Sequence, residues 1–399
     1  MTGDNNFCSK CGGKIQSEDE YCSKCGYRLS DEKEAEPKRR VSKHQMNIII
    51  GVLFFCIVIL LLGHSSSQHV TNPVSDPIPD INPVPQDTML SFKTYAYVAN
   101  RDDNTVSVID TATNKVTSTV PVGLCPVEVA VSPDGKKVYV SNFNSSNISV
   151  IDTNTNSVTD TVAVNGKMTV SPDSSKLYVL NPIEDISVVD TSTYFITDEM
   201  KREVKSYNAI PTNIAISQDG TKLYVVNVNS NSVSIIDTTT EKDIYDIFVG
   251  RMFEGGILEI AVSPDGTKVY VPYLSPYSGQ DTIAVIDTTT YTVINPIHID
   301  FIPGDVAVSP DGTKLYVSDP FGKSVSVFDT ATYRLIHKVI GIDQPYHIAI
   351  TPDGTKVYVT NFKNNNTVYA INVTTNTVTD RIPVGNHPEA IAIGKIRTA

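Results

Sequence analysis

The sequence predicts an all-β fold over its last three quarters, a seven-bladed β-propeller closed by its C-terminal strand. Three observations lead there. The stretch "VSPDGKKVYVSN", beginning at Val131, returns as "ISQDGTKLYVVN", "VSPDGTKVYVPY", "VSPDGTKLYVSD" and "ITPDGTKVYVTN". The tyrosines that anchor the copies, Tyr97, Tyr139, Tyr178, Tyr224, Tyr270, Tyr316 and Tyr358, recur every 39 to 46 residues, the period of a four-stranded blade at roughly 40–50 residues. Within each copy apolar and polar positions alternate, as in "NTVSVIDTATNKV", and Val, Ile, Thr and Tyr dominate, the pattern of half-buried strands.

The residues before the repeats differ in kind. Cys8, Cys11, Cys22 and Cys25 form two C-x2-C pairs, each followed by Gly. Such knuckles supply four thiolates to a tetrahedral Zn²⁺. With no His, open ligand position or neighbouring base, the predicted zinc ribbon of residues 1–30 is structural, and it folds because the metal binds. Residues 31–46 are a charged juxtamembrane linker. The run 47–63, "NIIIGVLFFCIVILLLG", carries no charge and would rise about 25 Å as a helix, enough for a single transmembrane span.

Charge orients that span. Lys38, Arg39, Arg40 and Lys43 precede it, whereas residues 64–90 contain no Lys or Arg. The basic flank stays cytoplasmic and the repeats lie outside. A reducing interior then suits the ribbon thiols, and one unpaired thiol, Cys125, is left outside. Five prolines between Pro73 and Pro85 make residues 64–90 an extended spacer of at most about 80 Å.

Each unit of the propeller, residues 91–399, divides into four strands. Strand A, of the "VEVAV" type, turns through "SPDG" into strand B, "KVYVSN"; a variable loop leads to strand C, "ISVIDT", and a short turn to strand D, "VTDTVAV". In the A–B turns, Asp134, Asp265, Asp311 and Asp353 are placed to cap backbone amides, and the following glycines to supply positive φ. The aspartates that end strand C, such as Asp110 and Asp152, have the same turn-capping role. A motif copied in nearly every unit serves folding rather than one asymmetric catalytic constellation. The first unit begins at strand B, "TYAYVAN", and the chain ends on an isolated strand A, "PEAIAIG". Joined, they complete one blade and remove the open sheet edges.

"YVAN", "YVSN" and "YVTN" followed by "VSVIDTATN" resemble the YVTN family of β-propeller repeats, known from surface-layer and other cell-surface proteins, especially of archaea. The resemblance covers about three quarters of the chain and implies a surface-exposed propeller. Tyr273 and Asp319 stand where the motif has Asn. The cysteine module resembles the small zinc ribbons at the N-termini of many bacterial and archaeal membrane proteins.

From Ser91 onward 23 Lys and Arg face 33 Asp and Glu, which argues against nucleic acid as a partner. Four N-x-S/T sequences, at Asn144, Asn147, Asn365 and Asn372, are glycosylation acceptors on an outer domain. No histidine stands in a Ser/His/Asp or HExxH signature. The A–B and C–D turns are uniform between units while the B–C loops vary, so the face shared by the B–C and D–A loops is the expected binding surface.

Aligned on the residue before each strand A, the units place Glu128, Lys167, Asn213, Glu259, Asp305, His347 and Ala390 at the channel mouth. An oxygen-rich set of this kind suits Ca²⁺ or Mg²⁺, with Glu128, Glu259 and Asp305 as chief ligands and Asn213 and His347 as helpers. Strand starts are also polar merely because they meet solvent, and Lys167 opposes a cation. Two functions follow. One is a membrane-anchored surface propeller that binds or scaffolds envelope components, glycans or other proteins, with the ribbon facing the cytoplasm. The other is a metal-dependent ectoenzyme of lactonase or lyase type with its site at the mouth.

Overall fold

The computed structural model describes residues 91–181, 185–201, 210–250, 259–273, 281–361 and 366–398. The ribbon, juxtamembrane linker, apolar run and Pro-rich spacer, with Cys8, Cys11, Cys22 and Cys25, lie outside the described residues. Among those that are described, no helix is long and apolar enough to cross a membrane.

Alternation produces strands throughout, and they assemble into seven four-stranded antiparallel sheets. Blade 1 comprises β1 (Ser91–Asn100), β2 (Thr105–Asp110) and β3 (Lys115–Pro121). Blade 2 runs from β4 (Pro126–Val131) to β7 (Ser157–Val162), blade 3 from β8 (Lys167–Val170) to β11 (Ile196–Met200), and blade 4 from β12 (Pro211–Ile216) to β15 (Lys242–Phe248). Blade 5 runs from β16 (Ala261–Val262) to β19 (Thr292–Ile299), blade 6 from β20 (Val306–Val308) to β23 (Leu335–Ile340), and blade 7 from β24 (Pro345–Ile350) to β27 (Thr377–Pro383). The last strand, β28 (Pro388–Thr398), pairs antiparallel with β1 and supplies the inner strand that blade 1 lacks. The predicted fold and its closure are what the structure contains.

Closure is also made by packing. Tyr358, Val368 and Ala370 of blade 7 share one buried cluster with Ala96, Val98 and Ile109 of blade 1. The Tyr358 hydroxyl donates to Asn114 Oδ1 across that seam at 2.6 Å. The repeated tyrosine is thus a core residue between blades, fully buried in six of the seven units and nearly so at Tyr178.

The repeated polar residues satisfy turns and strand ends. Asp134 Oδ1 accepts from the Lys136 amide at 3.1 Å and from Ser132 Oγ at 2.7 Å, while Ser132 Oγ also accepts from the Lys137 amide. Gly135 sits at φ 72°, and a Cβ there would lie 2.1 Å from the Lys395 carbonyl oxygen. It therefore needs glycine for both conformation and space. At the end of strand C, Asp110 Oδ1 accepts from the amides of Ala112 and Thr113.

The motif Asn has a role that the sequence leaves unexplained. Asn100, Asn142 and Asn227, all buried at the end of strand B, donate through Nδ2 to Ser107, Ser149 and Ser234 of the adjacent strand C at 2.8–2.9 Å. Asn and Ser thus form a buried cross-strand pair under the variable loop. Asp319 replaces this pair with a carboxylate that accepts from Gly322 N and Ser324 Oγ and faces Lys338 at 3.3 Å.

Candidate binding site at the propeller mouth

The mouth is built where chain entry into strand A meets the axis. Glu128, Lys167, Asn213, Glu259, Asp305 and His347, from blades 2 to 7, converge there. Lys167 Nζ lies 2.6 Å from Glu128 Oε2 and 2.8 Å from Glu259 Oε1. Asn213 donates through Nδ2 to Glu259 Oε2. His347 Nδ1 lies 3.7 Å from Glu259 Oε1 and 3.6 Å from Asp305 Oδ2. The Asp305 oxygens accept from the amides of Val306 and Ile348 at 2.6 and 2.7 Å, the second reaching into blade 7.

Burial works against charge on all these groups, and the pairing decides each outcome. At His347 the Glu259 and Asp305 carboxylates outweigh burial and raise the pKa above the usual imidazole value. Glu259 is pulled down to about 2, chiefly by Lys167 and His347 against burial. Burial wins at Glu128 and Asp305, whose pKa values are raised despite Lys167 beside the first and His347 beside the second. Lys167 is raised, because Glu128 and Glu259 outweigh its burial. The mouth is an internally compensated ion network linking opposite blades.

Ala390, the seventh residue of the aligned set, is buried in the core. Its place at the mouth is taken by Glu389. Strand A starts with a β-bulge in several blades: the register shifts between Pro126 and Glu128, between Pro211 and Asn213, and opposite Ala99 and Asn100 in β28. The bulged residues Val127, Thr212 and Glu389 all line the cavity that opens here, as expected for a bulge that re-aims a side chain. Glu389 Oε2 lies 3.5 Å from Arg101 Nη1 and 3.4 Å from His387 Nε2. Counting outward from the bulge instead of along the repeat would have found it.

The cavity measures about 320 Å³; its lining includes the apolar Phe143, Leu180 and Pro211 and the charged Glu128, Lys167 and Glu389, with His347. Cys125 is buried, its carbonyl accepting from the amide of the lining residue Phe143 and its sulfur 3.4 Å from Arg101 Nε. Of the glycosylation sequons, Asn144 is exposed on the variable face. Asn147 accepts from Asn142, and Asn372 caps the strand C turn that Asp occupies in other blades. Asn365 lies outside the described residues.

Residues 86–389 match the family described as "Cytochrome D1 heme domain". Similar solved structures include the Kuenenia stuttgartiensis hydrazine synthase, with 22% identity and a TM-score of 0.59 over 69% of this chain and 96% of that one. A functionally unknown protein from Desulfotomaculum acetoxidans DSM 771 has 17% identity and a TM-score of 0.60, covering 76% of this chain and 99% of that one. The dihydro-heme d1 dehydrogenase NirN in complex with DHE has 14% identity and a TM-score of 0.54 over 74% of each chain. At these identities they share the fold. No curated protein matches.

These findings correct the cofactor expectation. The matched family is a heme domain, so the group to which family membership points is heme, in place of ribbon Zn²⁺ and of Ca²⁺ or Mg²⁺ at the mouth. The geometry gives the physical reason for the second correction. Glu259, Asp305 and His347 do come together, their ligand atoms within 4.8 Å of one another, but the Lys167 ammonium is already the cation that Glu128 and Glu259 share.

Nor do the residues at the mouth fit a heme. The cavity is at the low end of the ~300–1,000 Å³ of small-molecule pockets. His347, the imidazole on its wall, faces Glu259 and Asp305 through Nδ1 as part of the ion network, and their charge raises its pKa. Among the described residues, the cations beside the cavity, Lys167 and Arg101, are paired with carboxylates of the chain. Titration of the purified chain with hemin is therefore expected to give no stoichiometric His-ligated absorption band, and His347→Ala to leave the spectrum unchanged. A one-to-one band lost in His347→Ala would reverse that reading. With a match that spans residues 86–389 of 399, the chain belongs to the cytochrome D1 heme domain family.

Proposed function

We propose that this chain is a surface propeller, held to a membrane by residues 47–63 with its N-terminus cytoplasmic, that binds or scaffolds protein or glycan components of the envelope through its variable face. The observation that carries the reading is the difference between its two faces. The A–B and C–D turns present the same polar, side-chain-capped turns in blade after blade. The opposite face exposes Leu124, Phe143, Ile210, Ile302 and Phe321 on its loops, against Phe92 and Phe195 beside the turns. Isolated exposed apolar residues are ordinary, but several on one face around a cavity are the signature of an interaction surface.

Chain direction supports the same reading. Ser91 begins strand B of blade 1, so the described chain starts on the uniform face, beside the C–D turn where the Thr111 amide bonds the Thr94 carbonyl. That end of β1 is opposite the variable loops. The family's heme contributes nothing to this function, since the mouth does not fit it.

Glycan and envelope-protein binding screens with the purified chain should yield a ligand that the double variant Phe143→Ser, Phe321→Ser no longer binds. A ligand retained in full by that variant would place binding elsewhere. For orientation, a cysteine introduced at exposed Thr113 is expected to react with an impermeant maleimide on intact cells. Reaction only after lysis would invert the topology.

A further inference from the structure

The mouth is not neutral toward what lands on the variable face. Two loops are locked side by side there: the Phe143 amide bonds the Cys125 carbonyl at 2.9 Å and the Asn144 amide bonds the Leu124 carbonyl at 3.1 Å. They hold Leu124 and Phe143 at 54% and 57% exposure, next to a cavity whose apolar side continues through Leu180 and Pro211. Ile210, half exposed, borders the same opening through Pro211.

The charged side of that cavity has acceptors to spare. Glu128 Oε2 lies 2.6 Å from Lys167 Nζ but is a buried acceptor with no hydrogen bond among the described residues, and Glu389 Oε2 accepts from Arg101 Nη1 at 3.5 Å and lies 3.4 Å from His387 Nε2. Both carboxylates line the cavity, and Glu389 is 92% buried, at 8% relative exposure. Glu128, Glu259, Asp305 and Glu389 face Lys167, Arg101 and the imidazoles of His347 and His387, and each of these basic groups lies against a carboxylate of the chain. An anionic group entering here would meet the like charge of Glu128 and Glu389. A cationic one would complete two half-used carboxylates in a partly desolvated cleft, where charge-assisted hydrogen bonds are strongest.

Resting on the reading of the variable face as the binding face, we infer that its partner is a protein segment that inserts one lysine or arginine side chain into the mouth, flanked by apolar residues. The cation bridges Glu128 and Glu389. Its methylene stem lies along Leu180 and Pro211, as long basic side chains do on apolar surface, and the flanking residues cover Leu124, Phe143 and Ile210. Charge complementarity with apolar surround selects this occupant over a glycan, which has no cation to offer.

The test uses the purified full chain and the peptide acetyl-Leu-Lys-Phe-amide, with acetyl-Leu-Gln-Phe-amide as the neutral control, by calorimetry. The lysine peptide is expected to bind at least about tenfold more tightly than the glutamine peptide, the scale of a charge-assisted hydrogen bond. Glu389→Gln, which leaves the Lys167 pairs intact, should erase most of that difference, and Phe143→Ser should weaken both peptides. Equal affinity for the two peptides, no binding of either at millimolar concentration, or an unchanged preference in Glu389→Gln would overturn the inference. The wider reading fails separately. A neutral or acidic ligand that requires Phe143 would sink the inference and leave the binding face standing, whereas a ligand indifferent to Phe143 and Phe321 would remove both.

Discussion

Removal of residues 388–399 is expected to abolish cooperative folding of the propeller. The deletion takes away β28 and with it the whole inner edge of blade 1, where β1 pairs from Ser91 to Asn100. Ala390 and Ile396 leave the core cluster that includes Tyr97, Val108 and Val138, together with the partly buried Ala392 packed against it. A fully buried aliphatic side chain contributes about 1.5–3 kcal/mol, and the loss of these groups with a strand ladder approaches the ~5–15 kcal/mol that a whole domain has in reserve. The cut also strips Glu389 from the mouth and leaves Gly135 without the Lys395 backbone on which it closes. The edge of β1 left unpaired would then favour association. Thermal unfolding followed by circular dichroism should show a broad, low-temperature transition with aggregation. A truncated chain that melts as sharply and as high as the parent would mean that β28 does not hold the ring.

The parts of this fold legible in the sequence are those that repeat. Asp134 and Gly135 announce a turn because only a short polar side chain and a positive φ satisfy that hairpin, and copies at a fixed spacing leave little but a blade to build. Closure was legible because a strand B without its strand A and a strand A without its strand B can satisfy each other. The convergence of Glu128, Asn213, Glu259, Asp305 and His347 was legible for the same reason, as equivalent positions in a ring must meet at its axis. What they do on meeting was not. Repeat alignment gives a position within a blade but not which side chain reaches across the channel. Lys167 looked like an obstacle to a metal site, whereas it is the cation of the site. Glu389 was missed because it occupies the bulge position itself, equivalent to Val127 and Thr212, one residue before the position on which the units align. The buried Asn–Ser pairs at Asn100, Asn142 and Asn227 were equally hidden, since a hydrogen bond between strands B and C has no signature within either strand.

Substitution of Lys167 by Met should destabilise the propeller by roughly 3 kcal/mol, the lower end of the ~3–5 kcal/mol found when one partner of a buried ion pair is removed. The lower end applies because the lysine side chain keeps 23% of its surface exposed. Nearly the whole cost comes from what remains: Glu128 and Glu259, drawn in from opposite sides of the axis, would face one another with their shared cation gone. Their pairing also sets the pH response. Glu259 is held at about 2 in the fold, below the ~4.3 of a free glutamate, so its contribution is present above the ordinary value and is lost as the pH falls from there toward 2. His347 is shifted the other way. Its contribution is full below the ordinary imidazole value and declines as the pH rises through its raised one. The wild-type chain should therefore lose stability on acidification below about pH 4, and Lys167→Met should shrink that loss, because Glu259 is then no longer strongly depressed. The triple variant Lys167→Met, Glu128→Gln, Glu259→Gln supplies the decisive comparison. With no uncompensated carboxylate left between Lys167 and its two partners, it should regain most of what the single variant lost, as replaced ion networks do. Denaturant unfolding of the three proteins at pH 7 and at about pH 2.5, inside the window between the ordinary glutamate value and that of Glu259, measures both effects. If Lys167→Met unfolds at the wild-type midpoint, the network is surface charge without structural weight; if the triple variant is weaker than the single one, the carboxylates stabilise the mouth by a route other than their shared ammonium.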